Sequence, residues 1–104
     1  MANAVTKVPE HSRYELRDDA GELLGFIAYL PAGDSVIIAH TEVPPEHAGA
    51  GVGGRLVRGA FEAIAAEGRT AIALCPFAAA YVHRHPELVA LLAPSEQGRF
   101  GAVG

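Results

Sequence analysis

The sequence predicts an α/β (α+β) fold in the order β-β-β-α-β-α, built on a mixed, mostly antiparallel sheet. Three observations carry this prediction. The first half alternates with period two between turn signals, the mark of half-buried strands. From Gly51 the apolar residues change to helical spacing. A short apolar run after Gly68 returns to strand, so a strand-helix-strand unit sits at the centre and its strands are expected to run parallel.

The opening segment, "MANAVTKVPEHS", mixes small and polar residues, and residues 1–12 read as a loose lead-in. Arg13 to Arg17 alternates, with Tyr14 and Leu16 on one face. "DDAG" signals a turn. Glu22 to Leu30 is a longer apolar strand, and "PAGD" then reverses the chain. Ser35 to Val43 is rich in β-branched residues, and Pro44-Pro45 stops it because proline cannot donate to a ladder. Over Gly51 to Gly68, Val52, Leu56, Ala60, Ala63 and Ile64 form a helical stripe widened by Val57 and Phe61. Arg55, Arg58, Glu62 and Arg69 fall opposite; Arg55 and Arg58 lie in the first helical turns, near an anion held there, with pairing to Glu62 the alternative for Arg58. Thr70 to Cys75 is the next strand. Pro76 suits the first turn of a helix through "FAAAYVHRH", and Pro86 either interrupts it or opens a further short helix, "PELVALL". From Pro94 onward the chain reads as a tail, with residues 95–104 loose.

The 104 residues suit one domain, 1–104. Half of them are hydrophobic and 19% are charged, as in a globular chain. Net charge is -4 and no basic stripe recurs, which argues against nucleic-acid binding. No run approaches the ~18 apolar residues of a membrane span. The N-terminus lacks an apolar signal core, and the lone Cys75 permits no intramolecular disulfide, so a reduced cytoplasmic location is expected. No metal site is expected, and the oligomeric state is expected to be monomer or weak dimer.

"HTEVPPEHAGAGVGGRLVRGAF" concentrates the chemistry. Gly49, Gly51, Gly53 and Gly54 lie between a predicted strand and a predicted helix, where backbone N–H groups and a helix N-terminus cradle anions. The dinucleotide fingerprint fits at Gly49, Gly51 and Gly54, but the next strand ends Leu74-Cys75-Pro76, without the acid that binds ribose. The nucleoside-triphosphate loop nearly fits, yet Arg55-Leu56 replaces its lysine and hydroxyl, and leucine cannot ligate magnesium.

The third template is the Gln/Arg-x-x-Gly-x-Gly/Ala loop of the GNAT acyltransferases. It reads here Ala48-Gly49-Ala50-Gly51-Val52-Gly53, departing at Ala48. The "HTEVPPE", "GxGVGGRLV" and "CPFAAAYVHRHPE" blocks resemble, in order and spacing, a compact single-domain branch of the GNAT superfamily. The resemblance covers His40 to about Leu88. It implies acyl-coenzyme A in the cleft where the strand before the loop leaves the strand ending at Cys75, and acetyl transfer to an amine. The pyrophosphate would rest on Gly49, Ala50, Gly51, Val52, Gly53 and Gly54, with Arg55 and Arg84 near its phosphates.

Strict alternation puts Val36, Ile38, His40 and Glu42 on one face. An alkylammonium of pKa ~10.4 must lose a proton before attack, so His40 or Glu42 can serve as base. Their bland alternatives are a structural histidine and a solvated carboxylate. The resemblance gives the Val43 amide the thioester carbonyl, and gives Tyr81 protonation of the leaving thiolate. Cys75 is either a nucleophile activated by His40 or a small buried hydrophobe lining the pocket. His83 is a second neighbour of the phosphates. The reading is therefore an acetyl-coenzyme A-dependent N-acetyltransferase with an unread acceptor. The rival is a non-catalytic coenzyme A-binding module.

Overall fold

The computed structural model describes residues 5–100; the remainder of the expected loose ends, 1–4 and 101–104, lies outside the described residues. Five strands form one sheet in sequence order: β1 (Val5–Val8), β2 (Arg13–Arg17), β3 (Leu23–Ala32), β4 (Ser35–Glu42) and β5 (Thr70–Ala73). The first three pairings are antiparallel and β4–β5 is parallel, as the central unit requires. Helix α1 (Val52–Ala66) joins β4 to β5, and α2 (Pro76–Arg84) follows β5.

Three expectations are corrected. The lead-in contains β1, held because Val5 pairs with Leu16 and Lys7 with Tyr14. "PELVALL" is a 3₁₀ segment, Pro86–Leu91, rather than an α-helix. The tail forms a short helix, α3 (Pro94–Gln97), and a further turn to Phe100. Just before α3 the chain bonds to the outer edge of β5, with Ala93 N–H donating to Ala71 O at 2.8 Å. That bond covers an edge that would otherwise stay open.

β3 runs past Pro31, which pairs with Val36. The β2 pairing stops at Ala28, so the missing N–H of Pro31 costs no bond on that side. The predicted α1 stripe is the core face: Val52, Leu56, Val57, Ala60, Phe61 and Ile64 are buried. They pack on Tyr14, Leu16, Ile27, Val36 and Ile38 of the sheet. Arg69 N–H donates back to Ile64 O and Gly68 N–H to Ala65 O, closing the helix at the predicted glycine. No helix among the described residues is long and apolar enough to cross a membrane.

The other sheet face carries a nearly buried carboxylate, Glu15, only 5% exposed. It accepts from Arg13 Nε at 2.7 Å and from Arg17 Nη2 at 2.9 Å. Burial raises its proton affinity, but the hydrogen bonds from Arg13 and Arg17 outweigh this and the carboxyl titrates below its ordinary value near 4.5. A depressed folded pKa stabilises the protein above the unfolded value, and that stability is lost as pH falls through the folded one. Thermal melts from pH 6 down to pH 3 should therefore show a decline that Glu15→Gln flattens. An identical decline in both proteins would refute the assignment.

Candidate active site

The site begins with a bulge in β4. Ala28 pairs with His40 and Tyr29 with Ile38, so Ala39 is the extra residue on β4. One inserted residue reverses side-chain parity beyond it. Before the bulge, Val36 and Ile38 are fully buried on the helix face. After it, Thr41 takes that face, opposite the fully buried Ile27. His40 and Glu42, paired with Ala28 and Phe26, turn to the other face. The expected single face for Val36, Ile38, His40 and Glu42 is thus corrected.

The β4–β5 ladder ends at Ile38–Ala73, while β4 continues to Glu42. The amides of Leu74 and Cys75 both donate to Ile38 O, at 3.1 and 2.9 Å, which turns the chain away from β4. A cavity of about 490 Å³ opens where the two diverge. Thr41 and Val43 line its sheet side. Gly49, Gly51, Val52, Gly53 and Gly54 line the loop and helix side, and Tyr81 and Arg84 of α2 close it. Its size suits a small-molecule site.

Gly51 enters α1 at φ 76 and Gly49 lies at φ 87, a region that disfavours other residues. Arg55 N–H is the first amide of α1 bonded within the helix, to Gly51 O. The preceding amides of Val52, Gly53 and Gly54 therefore lack helical acceptors. No side chain caps this end and the first turn holds no acid. The end is open to an anion, with the helix dipole favouring negative charge.

The cavity thus gathers Val43, Gly49, Gly51, Val52, Gly53, Gly54, Tyr81 and Arg84. It does not gather Ala50, Arg55, His40, Glu42 or Cys75 into its lining. Ala50 N–H is turned back to His47 O at 3.4 Å, and the Arg55 side chain is exposed on the far side of α1. His40 Nε2 lies 2.9 Å from Glu42 Oε1, and both side chains are more than half exposed. His83 is exposed on α2 with its ring against Phe100, outside the lining.

Cys75 lies just behind the wall, 4% exposed, with Sγ 3.4 Å from Thr41 Oγ1. Burial opposes its ionisation. The Thr41 hydroxyl and the amides of Ala78, Phe77 and Thr41 outweigh that, so the thiol titrates below its ordinary value. The Cys75 side chain makes no capping hydrogen bond to the start of α2. The neighbour that acts on the thiol is thus Thr41, where the sequence suggested His40.

Sequence reasoning missed Thr41, His47 and Phe77, all of which line the cavity. The bulge hid Thr41. Phe77 carried a usable signal, since Phe77 and Tyr81 are four apart on one helix. Arg58, read as a neighbour of the anion or a partner of Glu62, pairs instead with Glu87 of the 3₁₀ segment and does not line the cavity. One trio, Glu22, Glu46 and His47, brings possible metal-ligand atoms within 4.8 Å. Both carboxylates are exposed, and His47 Nε2 lies 3.1 Å from Glu22 Oε2, a contact that brings two of the three together without an ion.

A family model for GCN5-related N-acetyl-transferase matches residues 13–91. The chain belongs to that family. Its fold resembles a GCN5-like protein from Staphylococcus aureus solved in solution, with TM-score 0.65 and 24% identity over 89% of this chain and 91% of that one. It also resembles the crystal structure of nourseothricin acetyltransferase, with TM-score 0.50 and 20% identity over 84% of this chain and 66% of that one. Both likenesses concern the fold. No curated protein matches significantly in sequence.

Proposed function

We propose that the protein transfers an acetyl group from acetyl-coenzyme A to an amine. The observation that carries this reading is the cavity at the end of the β4–β5 ladder, with the uncapped N-terminus of α1 at one end and Val43 at the other. The amides of Val52, Gly53 and Gly54 would hold the pyrophosphate, with Arg84 across from them. Ala48 offers no side-chain contact, so the grip on the phosphates is made by backbone. The Val43 amide, just past the end of β4, would stabilise the oxyanion of the tetrahedral intermediate. Tyr81 would give a proton to the departing thiolate.

The base belongs to the His40–Glu42 pair, on the sheet face away from the helices. An amine entering there would lose its proton to His40, which Glu42 orients through the 2.9 Å contact. Cys75 contacts Thr41 and His40 contacts Glu42, which favours direct transfer over a route through the thiol.

Turnover with acetyl-coenzyme A across a panel of amines tests the reading. His40→Ala should lower kcat by roughly a hundredfold, the usual worth of a general base, while Cys75→Ala keeps most activity. Intact mass after incubation with acetyl-coenzyme A alone should show no adduct at short times. A stable acetyl adduct on Cys75 would establish the thiol route instead. Coenzyme A binding with no amine turned over would make the protein a binding module.

A further inference from the structure

On the sheet face away from the helices, the His40–Glu42 pair has neighbours that the transfer chemistry above does not use. Ala28 of β3 pairs with His40 on one side and with Arg13 on the other. Phe26, two residues along β3 on the same face, pairs with Glu42 and with Glu15. The Phe26 ring joins the two sides. The Arg13 guanidinium lies over it, 4.4 Å from its centroid, and the His40 ring meets it edge-on at 6.5 Å. The small Ala28 is left as a floor between a guanidinium and an imidazole. Charge is divided across this face. On β2 two guanidiniums, Arg13 and Arg17, share one carboxylate, Glu15. On β4 Glu42 stands beside His40, with no arginine or lysine paired to it among the described residues. Arg13 uses Nε for Glu15, and among the described residues neither of its Nη groups makes a hydrogen bond.

We infer that the acceptor is an amino-acid-like zwitterion: His40 and Glu42 receive its ammonium, the open Nη fork of Arg13 receives its carboxylate, and the chain between them lies over Ala28 and against Phe26. This rests on the acetyl-transfer reading. A planar guanidinium matches a carboxylate with two parallel N–H···O bonds. The Phe26 ring covers one face of the Arg13 guanidinium and Glu15 holds its Nε, so the fork is in place before a ligand arrives. β2 and β4 flank one strand, so their backbones stand about 10 Å apart, two strand spacings. Arg13 reaches in over β3, which shortens the span to that of a short ω-amino acid. In the transfer, His40 takes one proton from the ammonium and later returns it to solvent. The free amine adds to the thioester carbonyl. The C–S bond breaks with its electron pair on sulfur, and a second proton passes from nitrogen to that thiolate. The product is a neutral amide that Glu42 no longer attracts, while its carboxylate still faces Arg13. Acetylation thus removes one of the two charges that hold the ligand, which favours release.

Rates in the full chain with acetyl-coenzyme A test the inference, using β-alanine, 4-aminobutanoate and 6-aminohexanoate, each beside its neutral carboxamide. The best of these acids should exceed its carboxamide in kcat/KM by roughly tenfold, the usual worth of a hydrogen bond to a charged group. Arg13→Gln should erase that preference by raising KM for the acid, with kcat and the carboxamide nearly unchanged, because binding alone is lost. Arg13→Lys should keep part of it, since the charge remains and the fork does not. Carboxamide turnover and thermal melts establish that each variant is folded, and Arg13→Lys carries the test if Arg13→Gln is not. A wild type that does not prefer the acids, or a preference that survives Arg13→Gln, overturns this inference alone. A wild type that binds acetyl-coenzyme A but acetylates no amine overturns the acetyl-transfer reading, and this inference with it.

Discussion

Gly54→Ala is expected to lower kcat about a hundredfold while the protein stays folded. An alanine Cβ at this position would lie 2.7 Å from Tyr81 Cε1 and 3.4 Å from its Cζ. The ring cannot retreat freely, because His85 is stacked against it. The hydroxyl must then move by on the order of 1 Å, and if Tyr81 is the acid proposed above, misplacing it that far costs about 10²-fold. Stability responds less. Overpacking costs about 1–3 kcal/mol, and replacing a helical glycine by alanine returns about 0.5–1 kcal/mol. The expected net is a Tm lowered by several degrees, read beside kcat in one preparation. Wild-type kcat in this variant would count against Tyr81 as the proposed acid, or against its dependence on the contact with α1.

Phe61→Ala is expected to have the largest effect on stability. Phe61 is fully buried and is among the bulkiest side chains of the core. Removing such a ring costs about 3–5 kcal/mol, through lost transfer energy and the cavity left behind. Small domains have about 5–15 kcal/mol in total, so a large part of the margin would go. At ~4–8 °C per kcal/mol, Tm should fall by roughly 20 °C. Urea titration should show a lower midpoint at unchanged slope. A loss under about 1 kcal/mol would mean that the α1–sheet interface is not the main core.

Much of this fold was legible from short-range patterns. The α1 stripe from Val52 to Ile64 is the buried face of the helix, because helical periodicity depends on residues three and four apart. The Tyr14 and Leu16 alternation was equally plain, since both side chains are fully buried. The strand at Val5–Val8 was not, because four residues with one half-buried face depend on pairing with β2 for their stability. Lys7 Nζ also reaches Glu67 Oε2 at 2.9 Å, a partner 60 residues away.

The candidate site divides in the same way. Gly49, Gly51 to Gly54, Val43, Tyr81 and Arg84 could be picked out because glycine geometry and the order of the blocks mark them. Thr41 could not, nor could the turning of His40 and Glu42 to the opposite face. Nothing in Ile38-Ala39-His40 announces a bulge, since alanine suits a regular strand as well as an interrupted one. Arg58 had an available partner four residues on, yet α1 packs so that Glu87 meets it instead.

The sequence by itself determined the order of elements from β2 to α2, the glycine-lined entry to α1 and the strand-helix-strand unit around it, because each follows from local periodicity and backbone preference. Only the tertiary structure decided which face each β4 residue presents and which partner each charge takes. A single unpaired residue, Ala39, inverts every side chain beyond it, and the register that leaves it unpaired is set by packing against β3 and α1, across the whole domain.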